Sequence, residues 1–358
     1  MTNIGTIPEE SYIEVKLAPS GEHIGYIDEG FLERMKKGDV FVLGGSRYMY
    51  LYTRGMNLYV RGSIDRSPTI PSWFSEMLPL SFDSALEINR FRGLIREKLE
   101  AKSKKEEIVK FIQEYSYVDL NTANSIYSYF YEQFKYSEIP NSKIITIERF
   151  KAEKNYVVVN SMYGRRVNDA LSRSLGWIMG SYGNRDVEMG ISDNGFYFAG
   201  ESLGIEKALR ELSPEKIREI LEEAVNHTDI LARRFRHCAG RSLMILRNYK
   251  GRAKSVGKQQ LKSHFLLHSV KKISKDFPIL KEARREVLED LMDINNAKLV
   301  LEWIKEEKIK IRIKETNLPS PFALNLILQG HSDLIRIEDK QDFLKRMHVL
   351  HLKEIEKR

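Results

Sequence analysis

Apolar and polar residues alternate in short stretches over the first sixty or so residues, the pattern of strands that bury one face. Glycine and proline turns, such as Pro19-Ser20-Gly21 and Gly44-Gly45, separate these stretches. Short strands with tight turns at this density are typical of a small closed sheet, so the pattern predicts a small β-barrel over residues 1–67. The predicted strands are Tyr12–Leu17, His23–Ile27, Val40–Leu43, Arg47–Thr53 and Met56–Arg61.

The spacing of apolar residues becomes helical after an irregular connector that contains Pro68 and Pro71. We assign residues 68–140 to this connector and a helical region. The last two helices are joined by a short turn, which is the spacing of a helix-turn-helix. Such pairs occur both as packing units and as DNA readers, and the sequence leaves both interpretations open. The predicted helices are Ser81–Ala101, Lys104–Glu114 and Leu120–Tyr136.

Strand and helix patterns then mix, which predicts an α/β unit over residues 141–225. Its clearest local signal is Ser192-Asp193-Asn194-Gly195, because Asn-Gly favours a tight hairpin turn. From Ile205 onward the pattern is mainly helical, and we assign 226–358 to a basic helical part that includes one strand, Ile309–Lys314. The predicted fold class is α+β with several domains. The other elements of the α/β unit are predicted at Ser142–Arg149, Tyr156–Met162, Asn168–Tyr182, Val187–Ile191 and Phe196–Ala199. The basic helical part is predicted to end in a closing helix near Gln341–Lys357.

Charge is distributed unevenly along the 358 residues. Lys and Arg total 58 and Asp and Glu total 50, a formal net charge of +8. The 46 residues from Ile230 to Lys275 contain 13 Lys or Arg and no Asp or Glu, so this segment holds the whole positive excess. An acid-free stretch of this kind is typical of a surface that binds a polyanion, and an ordinary solvated basic face is the alternative.

Within this segment, residues 228–249 have the period of an amphipathic helix. Leu231, Phe235 and Cys238 share one face, and arginines fill the opposite arc. The planar guanidinium group binds phosphate through two parallel hydrogen bonds, which favours nucleic acid over an acidic membrane surface. A glycine-containing basic stretch follows the helix. The predicted phosphate-binding residues are Arg233, Arg236, Arg241, Arg247, Lys250, Arg252, Lys254 and Lys258.

Aromatic residues give a second candidate surface. Tyr48, Tyr50 and Tyr52 alternate along one predicted strand, which places all three on one face near Arg54 and Arg61. Aromatic and arginine side chains on a small barrel can stack on bases, and tyrosines also fill barrel walls. We therefore take Tyr50, Arg54 and Arg61 as candidate contacts. A separate aromatic residue, Trp73, is either a buried anchor or a base-stacking group.

The sequence offers no catalytic or metal-binding constellation. It contains no G-x-x-x-x-G-K-[ST], no H-E-x-x-H and no G-x-S-x-G. His264 and His268 are four residues apart but have no evident third ligand, and Cys238 is the single cysteine. No apolar run approaches the roughly 18 residues of a membrane span, and no secretory signal is evident. A cytoplasmic protein without catalytic residues, metal or cofactor of its own is expected.

Several specific strings resemble the C-terminal half of archaeal Lhr proteins, the large helicase-related branch of superfamily 2. The resemblance runs through essentially the whole chain, and residues 141–358 resemble the DEAD/H-associated domain. We expect the matched region to follow the helicase core and the winged helix. The strings are NIGTIP (3–8), KGDVFVLGG (37–45), PTIPSWFSEMLPLSFDSALEINRFR (68–92), GRRVNDALSRSL (164–175), SDNGF (192–196), RFRHCAGRSLMILRNYKG (234–251) and LPSPFALNLI (318–327).

Full-length members of that family look like ATP-dependent 3′→5′ translocases that unwind DNA and RNA–DNA duplexes. The resemblance implies that this chain is an accessory module that grips single-stranded or forked DNA, or RNA. Its implied partners are a RecA-like helicase core, which would use ATP and Mg²⁺, and the winged helix. In this family the P-x-W tryptophan is implicated in base stacking, which implies nucleic-acid contact for Trp73. The alternatives are a stand-alone enzyme similar to DNA glycosylases and an interaction scaffold that does not bind nucleic acid.

Overall fold

The computed structural model describes residues 13–27, 31–32, 35, 37–54, 57–62, 78–151, 154–183, 187–201, 203–226, 228–246, 248–249, 252–253, 256–330 and 349. The side chains of 248–249, 252–253 and 256–261 are not among the described parts. The chain divides into two compact units. Unit 1 comprises residues 1–78 and 225–287, and unit 2 comprises residues 79–224 and 288–358.

Five strands form the sheet of unit 1 in the order β2-β1-β5-β4-β3, and the sheet curls as a half-barrel. Neighbouring strands are antiparallel except β1 and β5, which are parallel. Ile13, Val15, Phe41, Leu58 and Val60 fill its concave core. The strands predicted from alternation are confirmed to within one residue. They are β1 (Ile13–Leu17), β2 (His23–Ile27), β3 (Val40–Leu43), β4 (Ser46–Arg54) and β5 (Asn57–Arg61).

The remaining described elements follow in chain order. The helices are α1 (Phe82–Glu100), α2 (Lys105–Ser116), α3 (Leu120–Tyr136), α4 (Arg165–Gly183), α5 (Ile205–Glu211), α6 (Ile217–Val225), α7 (Asp229–Arg241), α8 (Val256–Ile273), α9 (Pro278–Arg285), α10 (Ile294–Lys305) and α11 (Pro321–Gly330), with a π-helical turn at Glu286–Leu291. The strands are β6 (Ile144–Lys151), β7 (Asn155–Asn160), β8 (Glu188–Ser192), β9 (Gly195–Gly200), β10 (Asn248–Tyr249), β11 (Arg252–Ala253) and β12 (Lys310–Glu315).

Helices α1 to α3 pack around an apolar core of their own in unit 2. Ser81 caps α1 and Asp119 caps α3, each through a side-chain oxygen that accepts backbone N–H groups of the first turn. Ile108, Ile112 and Phe130 are buried in this core. The predicted helical region is therefore confirmed, and the helix pair α2–α3 acts as a packing unit; DNA reading by this pair stays a prediction.

The sheet of unit 2 combines strands that are far apart in the sequence. Its order is β12-β6-β7-β9-β8, and β12 pairs with β6 in parallel. Because β12 comes more than one hundred and fifty residues after β6, the boundary predicted at residue 225 runs through one sheet. The mixed α+β class is confirmed, whereas the compact units differ from the four consecutive domains that the sequence suggested.

The predicted hairpin turn between β8 and β9 also ties unit 2 together. Asp193 Oδ1 accepts hydrogen bonds from the backbone N–H groups of Leu80, at 3.0 Å, and of Arg165, at 2.8 Å. A Cβ at Gly195, where φ is +151°, would lie 2.1 Å from the carbonyl oxygen of Val159. Asp193 and the glycine are therefore structural, holding the turn against the start of α4.

The requirements of a membrane-spanning helix and of a metal site can be compared with the described residues. No helix in the described residues is both long and apolar enough to cross a membrane. Among the described side chains, no group of three or more His, Cys, Asp or Glu is placed to hold a metal ion.

Candidate nucleic-acid interface

Helix α7 carries the centre of the acid-free segment and buries the face that its period predicts. Leu231, Phe235 and Cys238 are all at most 5% exposed. The helix ends at Arg241, however, and not near Tyr249 as predicted. Leu243 adopts a left-handed conformation with φ +62°, and the N–H of the buried residue Ile245 donates to the carbonyl of Ala239. This local reversal stops the helix, and the short β10–β11 hairpin follows.

An acidic residue from outside the segment, Glu286, reaches the flank of α7. Glu286, which is 5% exposed, forms an ion pair with Arg241, and its other oxygen lies 3.8 Å from Nη1 of Arg234. Arg241 also donates to Sγ of Cys238 at 3.2 Å. Arg234 and Arg241 are about two helical turns apart, so they lie on the same side of α7, next to the buried face that carries Cys238. The structure therefore gives Arg241 an internal role in packing α7, and phosphate binding by this residue stays a prediction.

The other predicted cations are distributed between described and undescribed parts of the chain. Arg233 lies on α7 and is exposed, and Arg236 lies one turn further on and is half-buried. Arg233 is on the side of α7 opposite Phe235, and Arg236 is on the flank of the helix. Arg252 lies on β11 and Lys258 on α8, but their side chains are outside the described parts. Trp73, Arg247, Lys250 and Lys254 lie outside the described residues.

Helix α8 adds a basic and aromatic face that our candidate set did not include. Lys262 and Lys272 are exposed on it, and Phe265 between them is 64% exposed. Leu267 and Val270 are buried on the opposite side. A phenylalanine this exposed on a basic helix is an apolar surface flanked by cations, which suits a base next to its phosphates. In the sequence, this face is indicated by the spacing of Lys262, Phe265 and Lys272 at i, i+3 and i+10, which places the three residues on one side of a helix.

The tyrosines of β4 do not share one face, so that prediction is wrong. Tyr50 pairs with Val60, and Tyr52 pairs with Tyr59, which leaves Leu51 as an extra residue in β4. This β-bulge reverses the alternation after Tyr50. Tyr48 and Tyr50 consequently pack against the core, where Tyr50 is half-buried, whereas Tyr52 lies on the outer face.

The two arginines predicted beside the tyrosines do reach the outer face of the sheet. Arg54 pairs with Asn57 at one end of the β4–β5 ladder, and Arg61 pairs with Met49 at the other end. Both arginine side chains are exposed. The bulge therefore brings Tyr52, rather than Tyr50, onto the face that carries the two arginines.

Cys238 has the properties of an inert core thiol. It is 5% exposed, and burial, with the Glu286 carboxylate nearby, raises the pKa of its thiol to about 11. A thiolate is the reactive form of cysteine, so the thiol of this residue is protonated at neutral pH. This agrees with a packing role on the buried face of α7.

Two protein-family models match parts of this chain. Residues 139–323 match the DEAD/H associated family model, and residues 1–70 match the model of the large helicase-related protein winged helix domain. We expected the winged helix to lie outside the chain; the match to residues 1–70 overturns that expectation. The DEAD/H associated match begins within two residues of the predicted start at residue 141.

Curated relatives match over nearly the whole chain. The ATP-dependent helicase Lhr-Core of Methanothermobacter thermautotrophicus is 48% identical over 99% of this chain and 41% of its own length. The ATP-dependent helicase Lhr-Core protein 2 of Thermococcus barophilus is 44% identical over 97% of this chain and 40% of its own length. The chain thus spans about two fifths of the length of these relatives.

A solved structure shares the fold. It is that of Mycobacterium smegmatis helicase Lhr bound to ssDNA and AMP-PNP, with a TM-score of 0.62 over 73% of this chain and 33% of that chain, at 24% identity. The DEAD/H associated model matches more than half of the 358 residues. The chain therefore belongs to the DEAD/H associated family and is related to the Lhr-type helicases.

Proposed function

We propose that this chain is the accessory nucleic-acid-binding module of an Lhr-type ATP-dependent 3′→5′ helicase, and that it grips the tracking single strand mainly through its phosphates. The observation that carries the proposal is the acid-free segment Ile230–Lys275, which exposes Arg233 on α7 and Lys262, Lys272 and Lys275 around α8. A surface with cations and few acids attracts a phosphodiester chain over distances up to about a Debye length.

Family membership supports the helicase context. The relatives that match nearly the whole chain are named ATP-dependent helicases and are more than twice its length. The chain contains no P-loop sequence, so we assign the ATP- and Mg²⁺-dependent step to RecA-like domains outside residues 1–358. In this arrangement the module holds single-stranded or forked DNA, or RNA, while the ATPase core moves along it in the cytoplasm.

Phosphate binding predicts how strongly the affinity for nucleic acid depends on salt concentration. Each phosphate contact releases condensed counterions, so the logarithm of the binding constant falls with the logarithm of salt concentration, by about 0.7 per contact on a single strand. Base stacking by Trp73 would add about 1–3 kcal/mol of affinity, so Trp73→Ala is expected to weaken single-strand binding by that amount.

One assay separates this function from its alternatives. Fluorescent single-stranded and duplex oligonucleotides are titrated with the protein at two salt concentrations, and the products are run on a denaturing gel. We expect binding that weakens steeply with salt and leaves every strand intact. Absence of binding at moderate salt would identify a scaffold, and strand cleavage or base release without ATP would identify a stand-alone enzyme; either result contradicts the proposal.

A further inference from the structure

The outer face of the unit 1 sheet is organised by two irregularities in strand pairing. The bulge at Leu51 turns Tyr52 outward, opposite Tyr59 of β5. A second irregularity lies between β1 and β2, where Lys16 pairs with His23 directly after Val15 pairs with Gly25. Lys16 also pairs with Tyr59 across the parallel β1–β5 ladder. One continuous row therefore crosses four strands in the order His23, Lys16, Tyr59, Tyr52.

A second row runs beside the first along the same face. Tyr26 pairs with Glu14 across β2 and β1, Glu14 pairs with Asn57 of β5, and Asn57 pairs with Arg54 of β4. Neighbouring strands lie about 4.8 Å apart, so each row places side chains at regular short intervals across the sheet. The face thus presents aromatic rings and polar groups in two adjacent lines.

The aromatic rings on this face are accessible. Tyr26 is 54% exposed and Tyr52 is 42% exposed, whereas Tyr48 and Tyr50 pack against the core. The rings of Tyr52 and Tyr59 are stacked, with centroids 4.7 Å apart and planes 14° apart. In a near-parallel pair each ring keeps one face turned away from its partner, and a further planar ring can stack on such a face.

The charges around these rings favour a polyanion. Lys16, Arg54 and Arg61 lie on the face, and Glu14 is the acid among them. Glu14 is already engaged, at 3.0 Å from Nζ of Lys16 and 3.0 Å from Nδ1 of His23. Cross-strand tyrosine pairs also stabilise sheets on their own. The flanking arginines distinguish this face from an ordinary tyrosine ladder, because they add two exposed cations at the two ends of the β4–β5 pairing.

We propose that the outer face of the unit 1 sheet is a base-stacking platform for unpaired nucleotides, with the Tyr52–Tyr59 pair and Tyr26 against bases and Arg54 and Arg61 against phosphates. This inference rests on the proposed function, since it assigns the strand selectivity of a nucleic-acid-binding module. Bases in a duplex hide their flat faces, so the platform selects single strands. Every base has such a face, so the platform tolerates any sequence.

The test uses the 358-residue protein and three fluorescent ligands of equal length. They are a thymidine strand, the same strand with its central bases removed, and a duplex. The variant is Tyr52→Leu with Tyr59→Leu. The matched control is Tyr127→Leu with Tyr131→Leu, a stacked tyrosine pair on α3 in unit 2 in which Tyr131 is exposed and Tyr127 is half-buried.

The double Tyr52→Leu, Tyr59→Leu variant should lose about tenfold in affinity for the intact strand for each base that loses its stacking partner. Its affinity for the abasic strand and for the duplex should stay within about twofold of the unaltered protein, which is within the noise of such titrations. The Tyr52→Phe, Tyr59→Phe variant keeps both rings and should keep the affinity. The control should behave as the unaltered protein does.

The outcomes separate the platform from the proposed function. If the unaltered protein binds none of the three ligands, the proposed function fails. If it binds all three but the Leu variant loses affinity for all of them equally, or for none, the platform alone fails. Should the Leu variant not fold, photo-cross-linking of a 5-iodouracil strand to the unaltered protein decides: cross-links at Tyr26, Tyr52 or Tyr59 support the platform, and cross-links confined to other residues overturn it.

Discussion

Unit 1 and unit 2 each contain a five-stranded sheet with helices, but they differ in their balance of basic and acidic residues. Unit 1 has 24 Lys or Arg against 14 Asp or Glu, and unit 2 has 34 against 36. The excess in unit 1 comes from residues 225–287, whose described cations include several that are exposed on α7 and α8. The positive net charge is therefore a property of unit 1 and not of the chain as a whole.

In unit 2 two buried polar side chains, Glu148 and Asn168, are held by hydrogen bonds within the fold. Glu148 is fully buried and accepts hydrogen bonds from the hydroxyl of Ser320, at 2.7 Å, and from its backbone N–H, at 3.0 Å. Asn168 donates to the carbonyls of Ser192 and Asp193 from a fully buried position. Buried polar groups with complete hydrogen bonding fix one arrangement of the chain. The difference teaches that motif residues such as Asp193 serve the fold of unit 2, while ligand contact is expected from unit 1.

The largest effect is expected at the turn of unit 2. Gly195→Ala forces a Cβ against the carbonyl of Val159 at a φ that side chains rarely adopt, so it should lower the free energy of unfolding by about 4 kcal/mol. Urea unfolding measures this. Gly93→Ala is the matched control, because Gly93 lies on helix α1 and its added Cβ would meet its nearest atom, Cβ of Asn141, at 3.8 Å. Equal stability of the two variants would contradict the structural role of the turn.

A smaller loss of stability is expected from the acid beside α7. Glu286→Ala removes the carboxylate beside Arg241 and Arg234, whose side chains are partly exposed, which should cost about 1–2 kcal/mol of unfolding free energy. Nucleic-acid affinity at low salt should not fall, since the change removes a negative charge. Thermal unfolding and an oligonucleotide titration on the same sample check both parts. A stable variant with weakened binding would mean that Glu286 organises the ligand site.

The smallest expected effect is on the reactivity of the Cys238 thiol, on the buried face of α7. With its pKa raised to about 11, the thiol is about 0.1% thiolate at pH 8, and it should react with a disulfide reagent only through unfolding. The folded protein should therefore react far more slowly than the protein in denaturant. Rapid reaction in the folded state, followed by absorbance, would show that α7 is less tightly packed than Leu231 and Phe235 indicate.

Local patterns predicted the elements well, because alternation, helical period and turn residues act over a few positions. Strand β4 was expected at residues 47–53 and spans Ser46–Arg54. The bulge at Leu51 could not be predicted, since Tyr48 to Tyr52 alternate without interruption and only the pairing with β5 reveals the extra residue. The candidate platform was therefore assigned to Tyr50 when the register places Tyr52 and Tyr59 outside.

Long-range contacts account for the other differences. Glu286 lies 45 residues beyond Arg241 in sequence, so a count of acids in a window around α7 misses it. The parallel pairing of β12 with β6 likewise depends on tertiary packing and not on any local signal. The acid-free segment itself was visible in the sequence because charge composition needs no knowledge of the fold.

The measurement that tests the central claim most directly is the salt dependence of single-strand affinity for two triple variants of equal net charge. One replaces Arg233, Lys262 and Lys272 of unit 1 by Gln, and the other replaces Arg90, Lys110 and Lys298 of unit 2, which are exposed cations beside helical glutamates. We predict a log–log slope shallower by about 0.7 for each lost contact in the first variant and an unchanged slope in the second. Equal slopes in both variants would contradict a phosphate-binding surface on unit 1.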